Sequence, residues 1–335
     1  MTTLGVIGLG RIGAFHTETL SGIDGLDGLV ITDERTDVAH AVATKYGVKA
    51  VDTVEELLSS GVDGIVVAAA TPAHAELTLA AVERGIPTFC EKPIASTAAE
   101  SARVAEVIAK SGVPVQVGYQ RRYDAAFAAA KRAVDDGALG TLHTVRSTTM
   151  DPAPPPMDYI KTSGGIFRDC AVHDFDVLNW ITGQRAVEVY ATGTVQGDPL
   201  FAEYADVDTA AVVVTFDGGA LGVVSNARYN ARGYDCRLEI HGFDDSVVAG
   251  WDQGVPLRNV DPLNDFPAGP AHHFFMDRFT AAFRAELTEF VEVVKGGPIR
   301  GATVADAVEV AWLAEAATES LRRHAPVTIA EVRNP

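Results

Sequence analysis

The chain has 335 residues, 47% of them apolar and 21% charged, with a formal net charge of -18. The length favours about two domains and the balance a globular protein, while the acidic surplus argues against nucleic acid or an anionic membrane surface as partner. No apolar run reaches the roughly 18 residues that a membrane helix needs, and the start of the chain shows neither a basic segment nor a signal-cleavage pattern. Cys90, Cys170 and Cys236 are widely spaced with no CxxC pair, so buried thiols in a reducing cytosol are expected.

Leu4–Ile7 reads as a short apolar strand, followed by Gly8-Leu9-Gly10-Arg11-Ile12-Gly13 and a helical pattern. Three glycines so spaced suit a tight turn, close approach of a pyrophosphate and close helix–strand packing, with the phosphate resting on the amides of the helix start. A second strand, Leu29–Thr32, ends in Asp33. An acid there accepts hydrogen bonds from an adenosine ribose and repels a 2′-phosphate, which favours NAD over NADP; Arg35 lies near enough to soften that preference. Asp63–Ala69 reads as the next strand, and Thr71-Pro72-Ala73-His74 opens a helix with Pro72 near its first position. His74 fits a helix start or cofactor edge better than a catalyst. A strand over Pro87–Cys90 then delivers Glu91-Lys92-Pro93, a helix spans Thr97–Lys110, and Val113–Gly118 is a further strand. This alternation predicts a doubly wound parallel sheet, a Rossmann domain over residues 1–119. Such sheets bind ligands beyond the carboxyl ends of their strands, where Glu91 and Lys92 lie.

From about Tyr119 the pattern changes. A helix over Asp124–Asp136 and a strand over His143–Thr149 lead to the stiff loop Asp151-Pro152-Ala153-Pro154-Pro155-Pro156, which suits a rim or lid. In the run from Gly164 to Asp176, Asp169, His173 and Asp176 stand at i, i+4 and i+7, on one face of a single predicted helix. Their neighbours Val172, Phe175, Val177, Leu178, Trp180 and Ile181 are apolar, and a polar stripe there is costly unless paired or used. A satisfied hydrogen-bond network, a metal set and a proton-transfer histidine all fit the stripe; no second His/Cys cluster supports the metal. Strand-like runs follow at Val187–Val195, Thr209–Phe216, Ala220–Tyr229, Cys236–His241 and Ser246–Trp251, then helices over Phe274–Lys295 and Val304–His324. His272-His273 is expected on a loop surface. Residues 120–335 thus read as an α+β domain with a large, mostly antiparallel, open-faced sheet, whose free face suits homo-oligomerisation.

Gly8 to Gly13, Glu91-Lys92-Pro93, Gly118-Tyr119-Gln120-Arg121-Arg122-Tyr123 and Gly164 to Asp176 together resemble the glucose-fructose oxidoreductase / inositol dehydrogenase / MocA family, over essentially the whole chain. The Asp151–Pro156 loop and Gly233-Tyr234-Asp235 add to the likeness. The resemblance implies an NAD-dependent oxidation of a cyclic polyol, best guess myo-inositol at its 2-hydroxyl, by a soluble tetramer or dimer with no metal. It implies a catalytic set of Lys92, Asp169 and His173. It implies cofactor contacts from Gly8, Gly10, Arg11, Ile12, Gly13, Asp33, Thr71, Pro72, His74, Glu91, Lys92 and Gln120. Arg122, Asp151, Asp176 and Tyr234 would join Lys92, Asp169 and His173 around the polyol, and the Lys92–Pro93 bond would be cis. Removing a hydroxyl proton suits histidine, whose unperturbed pKa is about 6.5, while a lysine cation favours the developing alkoxide. Other inositol isomers, a pyranose sugar, an NAD-dependent glycosidase on the same fold and a non-catalytic NAD sensor are the competing readings.

Overall fold

A computed structural model describes residues 2–334, which form two compact units. The first takes the chain through Tyr123 together with Ala281–Glu309. Its strands are β1 (Thr3–Ile7), β2 (Gly28–Thr32), β3 (Lys49–Ala50), β4 (Gly64–Val67), β5 (Thr88–Glu91) and β6 (Val115–Gly118). They run parallel in the order β6-β5-β4-β1-β2-β3, and the two-residue strand Ala302–Thr303 joins antiparallel on β6. β4 is buried at every position, as expected of a parallel strand covered on both faces. The strand order reverses between β1 and β4, and the crevice at that reversal is where doubly wound sheets take ligands. Leu4, Val6, Ile31, Val66 and Phe89 build the core with Leu287, Phe290 and Val291. Those last three were assigned above to the second half, because a helical period shows that a face is buried but not which sheet it covers.

The second unit comprises Asp124–Thr280 and the chain from Val310 onward. Its strands are β7 (Leu142–Met150), β8 (Ala186–Thr194), β9 (Thr209–Phe216), β10 (Leu221–Ala227), β11 (Asp235–Gly242) and β12 (Ser246–Ala249), in the order β12-β11-β7-β10-β9-β8, with Val327–Thr328 added at the β8 edge. All pairs are antiparallel except β7 with β10. Buried and exposed positions alternate along β9 and β10. One face lies under helices, with Val172–Thr182 against β7. The other leaves Tyr190, Val213, Leu221 and Val248 exposed.

Two predicted helices are each divided. Phe274–Lys295 is the short helix Phe275–Arg278 and the longer Thr280–Val294, with Phe279 off helical geometry between them. The helix expected to carry Asp169, His173 and Asp176 is also two elements, Ile166–Asp169 and Val172–Thr182. No helix among the described residues is long and apolar enough to cross a membrane.

Candidate functional site

The glycine loop is shaped by what its glycines exclude. Gly8 has φ +89°, and a Cβ there would meet the Ala69 Cα at 2.5 Å. A Cβ on Gly13 would meet the Gly8 carbonyl oxygen at 1.9 Å, which is how the helix comes so close to the strand end. Gly10 is the reverse: an added Cβ would meet nothing within 4 Å. The helix Arg11–Ser21 starts there with no side-chain cap, and a helix start of that kind suits a bound pyrophosphate. Asp33 Oδ2 accepts from the Leu9 amide at 2.6 Å and Oδ1 from the Arg35 amide at 2.9 Å. The Asp33 carboxylate, expected above at the ribose, ties the glycine loop to the end of β2. This cradle fits a dinucleotide.

The end of β5 carries Glu91 and Lys92, both half-buried, followed by a cis Lys92–Pro93 bond. Glu91 Oε1 lies 2.6 Å from Nε2 of the buried His16, and Glu91 Oε2 accepts from the Lys92 amide at 3.2 Å. Burial works to raise the Glu91 carboxyl, but the hydrogen bond and charge of His16, aided by Lys92 and His74, hold it below its ordinary range. Thr71 is half-buried and Pro72 exposed at the start of the helix Thr71–Glu83. His74, three residues on, is buried with both ring nitrogens against backbone carbonyls. Gln120 and Arg122 share a 3-10 turn, Gln120–Tyr123, and both are buried. Arg122 Nη2 lies 3.4 Å from Asp306 Oδ1. Burial would raise the Asp306 carboxyl; Arg122 and Thr303 outweigh it and hold it low.

In the second unit, Gly164 and Gly165 have φ +82° and +88° and lead into Ile166–Asp169. Asp206 Oδ1 accepts from the Ile166 amide at 2.9 Å and sits where a Gly165 Cβ would come within 3.1 Å. Cys170 and Ala171 turn the chain before Val172–Thr182, so Asp169 and His173 come from different elements. Asp169 Oδ2 accepts from Arg228 Nη2 at 2.7 Å and Oδ1 from the Tyr159 hydroxyl at 2.7 Å. Arg228 Nη1 reaches Asp151 Oδ2 at 3.2 Å. One buried guanidinium thus joins two of the expected substrate-site carboxylates. Burial opposes its charge, but the carboxylates of Asp169 and Asp151 beside it outweigh burial. The neighbouring Cys170 thiol is pushed well up by burial and then by Asp151.

Arg228 and Tyr159 were missed in the sequence. The signal for Arg228 was a lone cation closing the apolar run Ala220–Tyr229; Tyr159 had none. Asp174 was missed too: fully buried, it accepts from Ser147 at 2.5 Å, Thr149 at 2.8 Å and Asn226 at 2.8 Å, fastening its helix to β7 and β10. Asp176 is also fully buried in that helix. Tyr234 is buried just before β11, its amide donating to the His272 carbonyl at 2.7 Å and its ring edge-on to Phe279. His272 Nε2 lies 3.1 Å from Asp252. No group of three or more His, Cys, Asp or Glu side chains that could hold a metal ion occurs among the described residues.

Comparison with known proteins agrees with this architecture. Residues 2–119 match the model of an oxidoreductase family with an NAD-binding Rossmann fold, and residues 127–248 that of the GFO/IDH/MocA C-terminal domain. A myo-inositol 2-dehydrogenase of Thermotoga maritima is 38% identical over 332 residues, covering 98% of this chain and 99% of that protein. A crystal structure of a myo-inositol dehydrogenase from Corynebacterium glutamicum superposes with a TM-score of 0.90 at 34% identity, covering 98% of each chain. A scyllo-inositol dehydrogenase from Lactobacillus casei, solved with bound NAD(H) and scyllo-inositol, superposes with a TM-score of 0.89 at 25% identity, covering 98% of this chain and 99% of that one.

Proposed function

We propose an activity from one premise: this chain belongs to the GFO/IDH/MocA family of NAD-binding oxidoreductases. It is an NAD-dependent dehydrogenase acting on a secondary alcohol of a cyclic polyol, an inositol, and we assign myo-inositol oxidised at its 2-hydroxyl as the substrate. The observation that carries this is the pyrophosphate cradle of Gly8, Gly10 and Gly13 under an uncapped helix start, in a chain alike over its whole length to an inositol 2-dehydrogenase.

Bound NAD supplies the acceptor for the hydride that leaves the carbinol carbon. The chain's own residues do the rest. The first amides of Arg11–Ser21 take the pyrophosphate. Asp33 accepts from the adenosine ribose and repels a 2′-phosphate. His173 takes the hydroxyl proton on a ring nitrogen, a role suited to an imidazole near neutral pH. The Lys92 ammonium stabilises the oxygen as it becomes negative. Asp169, ion-paired with Arg228, orients His173. Arg122, Asp151, Asp176 and Tyr234 serve the remaining hydroxyls, since a polyol needs several convergent polar groups. Hydride and proton together leave a ketone. Homo-oligomerisation through the open sheet face, which exposes Tyr190, Val213, Leu221 and Val248, belongs to the same proposal. So does a reducing cytosol, supported by the buried free thiols of Cys90, Cys170 and Cys236.

The test is NADH formation with myo-inositol, scyllo-inositol, other inositol isomers, aldoses and glycosides. Turnover on an inositol supports the proposal, and the ratio of kcat/KM across isomers ranks the substrates. Glycoside cleavage without net NADH would replace the dehydrogenase with the hydrolase reading.

A further inference from the structure

We propose that His74 is a fixed imidazolium that fastens the carboxyl end of β4 to that of β5 and so positions Lys92. The His74 ring is 2% exposed. Its Nδ1 lies 2.7 Å from the Pro93 carbonyl oxygen and its Nε2 2.9 Å from the Ala69 carbonyl oxygen. Carbonyl oxygens only accept, and a neutral imidazole carries one N–H. Either neutral tautomer would press a nitrogen lone pair against a carbonyl in a site sealed from water. Only the doubly protonated ring donates both bonds.

The surroundings agree. Burial works against the charge, while the Pro93 and Ala69 carbonyls favour it, and the His74 pKa is pushed up. The groups facing the ring are on β5 and its end: Cys90, the Glu91 carboxylate, which His74 helps to hold low, and Lys92 beyond it. A cation in the first turn opposes the helix dipole, so the helix Thr71–Glu83 gains nothing from the charge. The two carbonyl bonds do.

Those bonds join two functional stretches of backbone. Ala69 is the residue against which Gly8 of the pyrophosphate cradle is packed. Pro93 directly follows Lys92. One ring therefore holds the backbone behind the cradle and the backbone that carries the lysine. His74 offers no free ring nitrogen to a cofactor; its part is that of a positioning residue. This inference rests on the reading of Lys92 as the cation that stabilises the reacting oxygen.

Nitrogen NMR of the protein labelled in its histidines tests the charge on the unaltered chain. Both His74 nitrogens are expected protonated at pH 8, where an exposed histidine is neutral; a single protonated nitrogen at pH 7 overturns the proposal. The functional arm uses His74→Gln, which keeps one amide donor side. Its kcat is expected to fall at least about tenfold, a larger factor than the rise in its NADH Kd. The deuterium isotope effect on its kcat with carbon-2-labelled myo-inositol is expected to rise, because a displaced Lys92 slows the chemical step itself. A purely structural residue would lower kcat through the fraction of folded enzyme and leave that isotope effect unmoved. An unchanged kcat and isotope effect in His74→Gln, with turnover lost in Lys92→Ala, refutes the positioning role alone. Turnover retained in Lys92→Ala refutes the reading of Lys92 instead.

Discussion

Replacing Arg228 with methionine removes a charge and keeps most of the apolar stem. In the folded chain the Arg228 side chain is 3% exposed and lies between carboxylates that are 11% and 13% exposed, those of Asp169 and Asp151. Deleting the cation of such a buried set removes its charge from beside two carboxylates that folding has already taken out of water, at a cost of about 3–5 kcal/mol. Tyr159 keeps one hydrogen bond on Asp169, which places the expected loss at the lower end, about 3 kcal/mol. The pH dependence has a definite sign. Protonation relieves a stranded carboxylate, so the folded variant binds protons more tightly than its unfolded chain. The penalty is therefore full at pH 8 and shrinks as pH falls toward 5. Guanidinium unfolding of both proteins at pH 8, 6.5 and 5 reads the difference directly. A loss under about 1 kcal/mol at pH 8, or one that grows on acidification, would refute the role given to the Asp151–Arg228–Asp169 set. The variant's kcat should also fall, since Asp169 loses the group that orients it.

Lys92→Ala and His173→Ala are each expected to lower kcat at least about a hundredfold, the usual size of an acid–base contribution; near-wild-type rates in steady-state assays remove that residue from the mechanism. Gly13→Ala forces a Cβ to 1.9 Å from the Gly8 carbonyl oxygen. The helix start must back away from the cradle, and fluorescence titration should show NADH Kd rising at least about tenfold. Asp33→Ser removes the charge that repels a 2′-phosphate and frees the Leu9 amide, so the NAD-to-NADP ratio of kcat/KM should drop at least about tenfold. An unchanged ratio would show that cofactor choice lies elsewhere.

The features readable in the sequence were local ones. Gly8 to Gly13 and Glu91-Lys92-Pro93 announce themselves because a strand end, a turn and a helix start are adjacent in the chain. The strands of the second sheet were found within a residue or two wherever their alternation was clean, as along Thr209–Phe216. What was missed depends on distant segments. Arg228 meets Asp169 from 59 residues away, and Tyr159 arrives from a loop without periodicity. Leu287, Phe290 and Val291 fill the core of the first unit although their helix follows β7 to β12 of the second sheet. The break at Cys170 lies between the Asp206 bond to Ile166 and the ties of Asp174 to β7 and β10, none of which the apolar pattern records. Asp174 shows the same limit. It lies beside His173 in sequence, yet its three polar partners make it a fastening of the fold.

The central claim is that hydride leaves an inositol ring carbon for NAD while this chain takes the hydroxyl proton. Myo-inositol deuterated at carbon 2 tests it most directly. After turnover with NAD, the account predicts one deuterium at C4 of the NADH and a ketone at carbon 2 of the product, with the label transfer lost in step with turnover in His173→Ala. Unlabelled NADH formed from that substrate would contradict the assigned hydroxyl, and the absence of NADH with every inositol isomer would contradict the activity itself.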